Sequence, residues 1–316
     1  MKFGLRPAWT YQNLLRVSFV VLGALCLLAM FGVPLMSARG PSSFNYGGPS
    51  PLIVMLIGLA IGCYGTVVGI GGGPLIVPVL FFFYGWETEF LVATSLMIVF
   101  LNALSGTIGY AYQKRIDYKG GSKFALAALP GAGVSGFVHH RFDIQIFDAI
   151  FGVFLILLAV FCFINVRRMG RREALPRPEA PAWFRRVSVA DRFGQSFGFA
   201  VDDQLGIYLN LLLGFFVGFL GIGGGVFQVP ILLFVLFYPA HIATATSHYV
   251  TALTCLFAVL PHVFLGNVFF DEALWMGLGV VVGAQLGAWL SPKLQSRLII
   301  YLFIIIILVF AVKLLF

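Results

Sequence analysis

Gly69-Ile-Gly-Gly-Gly-Pro-Leu-Ile-Val-Pro-Val-Leu80 recurs in the chain as Gly221-Ile-Gly-Gly-Gly-Val-Phe-Gln-Val-Pro-Ile-Leu232, with eight of twelve positions identical. The offset is 152 residues. Without a gap, the same offset lays Ala93-Thr94-Ser95 on Ala245-Thr246-Ser247 and Gly131-Ala132 on Gly283-Ala284. Three matches in one register identify an internal duplication. Each glycine run interrupts a long apolar stretch: Pro51 to Tyr84 contains no charged residue, and neither does Gly206 to Phe270.

The chain is 60% hydrophobic and 10% charged, where a soluble domain carries roughly a quarter charged residues. Water cannot be the solvent for that much apolar surface. The runs at 15–36, 90–112, 145–166 and 298–316 each approach or exceed the roughly 20 residues that cross a bilayer. The net charge of +8 gathers in short stretches at the ends of these runs, a topological pattern and not a nucleic-acid surface. The lipid bilayer is therefore an expected partner and nucleic acid is not. Cys26, Cys63, Cys162 and Cys255 all lie inside apolar segments with no CxxC pair, and read as small core residues.

Lysine and arginine near span ends set orientation. Lys2, Arg6 and Arg16 precede an apolar run longer than a signal-peptide core, so residues 1–50 read as an uncleaved signal-anchor span and an outward loop. Pro51 to Tyr84 enters and leaves on the outside as a hairpin, because its exit, Trp86-Glu-Thr-Glu89, has no basic residue. The following span ends inside at Lys114, Arg115, Lys119 and Lys123, and repeat 1 (51–166) ends inside at the segment Arg167 to Arg192, which holds eight arginines. Residues 167–205 are then a basic cytoplasmic linker. Repeat 2 (206–316) starts inside, turns outside at Phe270-Asp271-Glu272 and ends outside. The expected fold is all-α: a multi-pass protein of the cell's inner (cytoplasmic) membrane with two inverted-topology repeats, each containing a Gly-broken helical hairpin, plus an extra N-terminal span. Such repeats mark secondary transporters, whose broken helices meet near the midplane.

On the duplicated Gly-Ile-Gly-Gly-Gly-x-x-x-Val-Pro, the Ala-Thr-Ser triplets and Gly283-Ala-Gln-Leu-Gly287, the chain resembles the TauE/SafE family of sulfite exporters and sulfonate permeases, over roughly 52–166 and 206–316. The resemblance implies transport of sulfite, sulfonates or related sulfur-containing anions driven by an ion gradient, with protons or sodium as the coupling ion. It implies no enzyme activity and no cofactor.

Candidate substrate-binding residues follow from what glycine does to a helix. An unwound glycine run presents free N–H groups, and at membrane depth it is tolerated only where it is buried in protein or lines a cavity. The short helix after each run, starting near Gly73 or Gly225, has unpaired donors in its first turn and a positive dipole end. Gly71, Gly72 and Gly73, with Gly223, Gly224 and Gly225, thus form an anion site without a buried cation; alternatively, they only let helices cross closely. Thr94, Ser95, Thr246 and Ser247 either bind oxyanion oxygens or bond back to helix backbone. Gln228, one turn into the second short helix, reaches the same cavity, whereas Ile76 at the equivalent place has no polar group. His248 is either a ligand or proton site or a hydrogen-bonded structural histidine. His241, His248 and His262 share a helix face at spacings too long to share one metal ion, so no metal site is expected.

Two other classes remain. An anion channel also accommodates inverted repeats. A membrane-embedded enzyme needs a nucleophile with a base or clustered carboxylates, and Asp148 stands alone. A dinucleotide loop is excluded, since Gly69-x-Gly71-x-x-Pro74 and Gly221-x-Gly223-x-x-Val226 lack the third glycine and any βαβ unit.

Overall fold

In a computed structural model of the chain, helices start where the duplication places them. The structure describes residues 49–138, 181–295, 298–305 and 308, and a few positions between 156 and 164; the expected N-terminal span and most of 145–166 lie outside the described residues. The elements are α1 (Pro51–Val68), α2 (Gly73–Tyr84), α3 (Thr88–Tyr112), α4 (Tyr118–Val138), β1 (Arg185–Ala190), β2 (Ser196–Val201), α5 (Asp203–Leu220), α6 (Gly225–Pro230), α7 (Ala240–Leu265) and α8 (Phe270–Leu290). At the offset of 152, the first residues of α1, α2, α3 and α4 fall on those of α5, α6, α7 and α8. The duplication is structural as well as textual.

Local chemistry explains these boundaries. Proline occupies the first turn of α1 and of α2, where its missing N–H costs nothing. Asp202 caps α5 by accepting from the N–H groups of Gln204 and Leu205 at 3.1 and 3.0 Å, the standard role of aspartate before a first helical turn. Pro78 and Pro230 are equivalent, but α2 runs through its proline while α6 gives way to a π-helical turn, Ile231–Val235. Proline removes a helix donor, and the second copy absorbs that loss by widening the next turn.

Among the described residues, five helices are long and apolar enough to cross a membrane: Pro51–Val68, Glu89–Tyr112, Asp203–Leu220, Ala240–Leu265 and Phe270–Lys293. Large apolar side chains such as Leu52, Leu212, Phe264 and Trp289 are exposed on them, as suits surfaces that face lipid. These observations make the chain an all-α polytopic membrane protein. α4 is not among the five, but it packs on α5 and α7 just as α8 packs on α1 and α3. The first helix α1 therefore lies against α8, α5 lies against α4, and α3 meets α7.

Small residues make these crossings close. A Cβ placed on Gly283 of α8 would fall 2.1 Å from the Leu59 carbonyl oxygen of α1, and one on Gly214 of α5 would fall 1.9 Å from that of Ala128 of α4. Helices in lipid gain little from hydrophobicity against one another and rely on such backbone approach.

The exception to the helical pattern is an antiparallel hairpin, β1 paired with β2 from Arg185↔Val201 to Ala190↔Ser196. Asp191 closes its turn by accepting from the Phe193 and Gln195 N–H groups, both at 2.9 Å. Val187, Val189, Phe197 and Phe199 pack onto the helical core. An ionic cluster pins it there. Arg185 Nη2 lies 2.6 Å from Asp117 Oδ2, and its Nε lies 2.9 Å from Asp203 Oδ2, which also holds Lys123 Nζ at 2.6 Å. Arg115 pairs with Asp191 at 2.7 Å, and Tyr238 donates its hydroxyl to Asp117 at 2.8 Å. Burial opposes the Arg185 charge, but bonding to Asp117 and Asp203 outweighs it and holds the pKa above the usual guanidinium value. Burial likewise works against the Asp191 carboxylate, and Arg115 together with the turn N–H groups overcomes it, setting its pKa below the usual range.

Candidate functional site

The glycine turns of the two halves cross in the middle of the bundle. Gly69 ends α1 with φ +94°, and Gly71 and Gly72 follow at +73° and +80°, a region open to glycine but strained for other residues. α2 then starts by accepting the Leu75 and Ile76 N–H groups at the Gly72 carbonyl, both at 3.0 Å. Among the described residues, the amides of Gly71, Gly72 and Gly73, and of Gly223, Gly224 and Gly225, make no backbone hydrogen bond. The turns touch through bare backbone: a Cβ on Gly73 would fall 1.6 Å from the Ile222 oxygen, and one on Gly225 would fall 2.4 Å from the Ile70 Cα. Val99 and Thr251, equivalent at the offset of 152, each lie against both Gly71 and Gly223. The equivalent residues of the two halves thus meet at the crossing.

The Ala-Thr-Ser triplets clamp this crossing. Ser95 donates to the Gly221 carbonyl at 2.6 Å, and Ser247 to that of Gly69 at 2.8 Å. Thr94 Oγ1 accepts from the Phe269 N–H and Thr246 Oγ1 from the Asp117 N–H, both at 3.1 Å. All four side chains are buried. Each ties its own helix to a turn or loop of the opposite half, and the two sets are copies of one another.

The remaining polar groups at the turns are not copies. His248 Nε2 lies 3.2 Å from Thr66 Oγ1, which donates to Asn102 Oδ1 at 3.2 Å; Asn102 Nδ2 stands 3.3 Å from where a Gly72 Cβ would be. Gln228 is buried with Nε2 unbonded, and Asn102 Nδ2 and Thr251 Oγ1 are likewise buried and unbonded among the described residues. Leaving a buried donor unmade costs about 1–3 kcal/mol, so Asn102 Nδ2 beside Gly72 and Thr251 Oγ1 beside Gly224 mark turns suited to an acceptor-rich ligand. Thr66, Asn102 and Thr251 are absent from the sequence-derived set. Asn102, a lone amide in the run Leu96 to Leu104, was the legible signal, because a polar side chain at membrane depth is expensive.

The sequence matches the family model "Sulfite exporter TauE/SafE" over residues 54–314, with a further match over 5–120. The chain belongs to the TauE/SafE family. Among curated proteins it is 29% identical to the probable membrane transporter protein YunE of Bacillus subtilis, covering 84% of this chain and 97% of that protein. A probable membrane transporter protein of Methanocaldococcus jannaschii is 27% identical over 78% of this chain and 88% of its own, and YjnA of B. subtilis is 25% identical over 83% and 98%. No solved structure matches significantly. This is therefore a multi-pass membrane protein of a transporter family. In this TauE/SafE member the duplicated glycine runs pack against one another, Gly73 on Ile222 and Gly225 on Ile70.

Proposed function

We propose that this TauE/SafE protein is a secondary transporter that moves a small sulfur-containing oxyanion, such as sulfite or a sulfonate, across the cytoplasmic membrane by alternating access. The carrying observation is a pair of buried, unbonded donors, Asn102 Nδ2 beside Gly72 and Thr251 Oγ1 beside Gly224, at turns whose glycine amides make no backbone–backbone bond among the described residues, with Gln228 Nε2 also buried and unbonded on the short helix that follows. A tetrahedral or pyramidal oxyanion offers several acceptor oxygens to such donors. Its charge needs no buried lysine or arginine: Gly206 to Phe270 has none, and the buried Arg115 is paired with Asp191. Neutral donors release an ion more readily than a fixed midplane cation, which is costly in the empty state. The halves, inverted in the membrane, rock about the crossing at Val99 and Thr251, with a proton or sodium gradient as the drive.

The test is uptake into proteoliposomes of sulfite, thiosulfate, sulfate, sulfonates and carboxylates, each with an imposed proton or sodium gradient. Saturable movement of a sulfur oxyanion, faster with one gradient, is expected. Movement of carboxylates alone overturns the substrate class, and gradient-independent flux far above carrier rates replaces the transporter with an anion channel.

A further inference from the structure

Whether the Gly72 turn attracts an anion or a cation depends on which end of the Asn102 side chain faces it. An amide has one acceptor atom and one atom with two donors, and rotating it by half a turn exchanges them. Here Oδ1 accepts from Thr66, so Nδ2 is the end at Gly72. Thr66 has a single hydroxyl proton. Because that proton goes to Asn102, the lone pairs of Oγ1 face His248 Nε2, which must supply a proton of its own. With His248 protonated at Nε2, the order of donation runs from His248 Nε2–H to Thr66 Oγ1, from Thr66 O–H to Asn102 Oδ1, and from Asn102 N–H toward the turn. In the opposite tautomer His248 Nε2 would take the threonine proton, leaving Oγ1 to accept from Asn102 and turning Oδ1 toward Gly72.

The surroundings hold this relay in place. Tyr110 donates its hydroxyl to the Thr66 carbonyl at 2.7 Å and stacks edge-on against the His248 ring at 5.6 Å. Gly106 leaves room for the imidazole, since a Cβ there would fall 2.4 Å from His248 Cδ2. Thr66, Asn102 and His248 are all fully buried. The second half has nothing comparable: Gly218 replaces Thr66, Leu96 replaces His248, and Thr254, at the place of Asn102, donates back to Val250 at 2.9 Å. Two independent features thus converge on the first turn: the start of the twelve-residue α2 and a buried, unbonded amide directed at it.

We propose that His248 and Thr66 are positioning residues that lock Asn102 with its N–H groups toward the Gly72 turn and so give that turn its preference for anions. This rests on the oxyanion reading above, and its test separates the two. In proteoliposomes loaded with equal amounts of folded protein, uptake of radiolabelled sulfite is measured over a concentration series. Asn102→Asp, which puts an oxygen where the donor was, and Thr66→Val, which cuts the relay at the same size, are each expected to raise KM roughly 10- to 100-fold, the usual scale for losing a hydrogen bond to a charged group. Thr66→Ser and His248→Gln, which keep a hydroxyl and an N–H donor, restore KM to within a few-fold of wild type, whereas His248→Leu does not. A packing role would instead lower expression or kcat with KM unchanged and would show no rescue by these variants.

The second measurement is independent of substrate. Nitrogen NMR of ¹⁵N-histidine protein, with the His248 signals assigned by loss in His248→Gln, is expected to show the Nε2-protonated neutral tautomer. Wild-type KM in both Asn102→Asp and Thr66→Val, or an Nδ1-protonated His248, overturns the relay. If wild type moves no sulfur oxyanion, the substrate reading fails, and the tautomer still decides the relay.

Discussion

The turn at Gly69 to Gly73 and the turn at Gly221 to Gly225 share four identical glycines and an isoleucine, and their backbones differ at one residue. Gly72 has φ +80° and Gly224 has φ −72°. A Cβ on Gly72 would sit 2.9 Å from Ile61, while one on Gly224 meets nothing nearer than 3.2 Å. Around the first turn lie Thr66, Asn102 and His248; around the second lie Gln228, Thr251 and Thr254. A duplicated backbone has thus kept the contacts that make two halves cross, while its side chains have diverged where a ligand would be met. Symmetry here belongs to the scaffold and asymmetry to the chemistry.

The largest expected effect tests the shared part. Gly73→Ala and Gly225→Ala each drive a methyl into backbone of the opposite turn, which no side-chain rotation relieves. Both are expected to abolish monodisperse protein in size-exclusion chromatography. A well-behaved variant at either position would break the equivalence of the crossing.

The next effect lies in the hairpin, which has no counterpart among the described residues of the other half. Arg185→Met strips Asp117 of its cation and leaves Asp203 with Lys123 alone; Asp117 is 5% exposed, and breaking one side of a buried pair costs about 3 kcal/mol. Undocking the hairpin is the cheapest relief, so limited proteolysis is expected to cut within 185–201 in the variant and not in wild type. The Asp191 contribution follows the same logic with pH. Its depressed pKa gives stability that is fully present above the ordinary carboxylate value of about 4. That stability is lost as pH falls through the lower folded value. Acid is therefore expected to expose the wild-type hairpin, and Asp191→Asn, which lacks this titration, is expected to show less of that pH dependence.

A smaller effect sharpens the difference between the turns. Gly72→Ala forces a left-handed alanine, a strain of about 1–2 kcal/mol, beside Asn102; Gly224→Ala is already in the right-handed region. Thermal unfolding in detergent is expected to show a clear loss of Tm for the first and little change for the second. Equal losses would mean that the second turn also needs glycine at that place.

The smallest expected difference is between Ser95→Ala and Ser247→Ala. Each removes one buried bond to a glycine carbonyl across the halves, a net cost of about 1 kcal/mol, so the two should lower Tm alike. A marked inequality would show that the clamps have diverged as the donors have.

Much of this was present in the sequence. The glycine runs placed the starts of the short helices near Gly73 and Gly225, because glycine acts locally: a residue free to take positive φ ends a helix wherever it is. The apolar runs settled the solvent by their length alone. Side-chain partners were not legible in the same way. Thr94, Ser95, Thr246 and Ser247 were equally consistent with ligand binding and with backbone bonding, since a hydroxyl's bond depends on which chain lies opposite it. Periodicity gives the face of a helix and not its neighbour. Asn102 reaches Gly72 only because α3 packs over the turn, and Thr66 meets His248 only because α1 and α7, from different halves, come together there. The hairpin of β1 and β2 falls within the stretch expected as a basic linker, and its docking rests on Asp117 and Asp203, which are far apart in the chain. Local backbone chemistry and apolar length were determined by the sequence alone. The pairing of polar groups between the halves was decided by the tertiary structure, because burial leaves each donor only the acceptors that packing brings within reach.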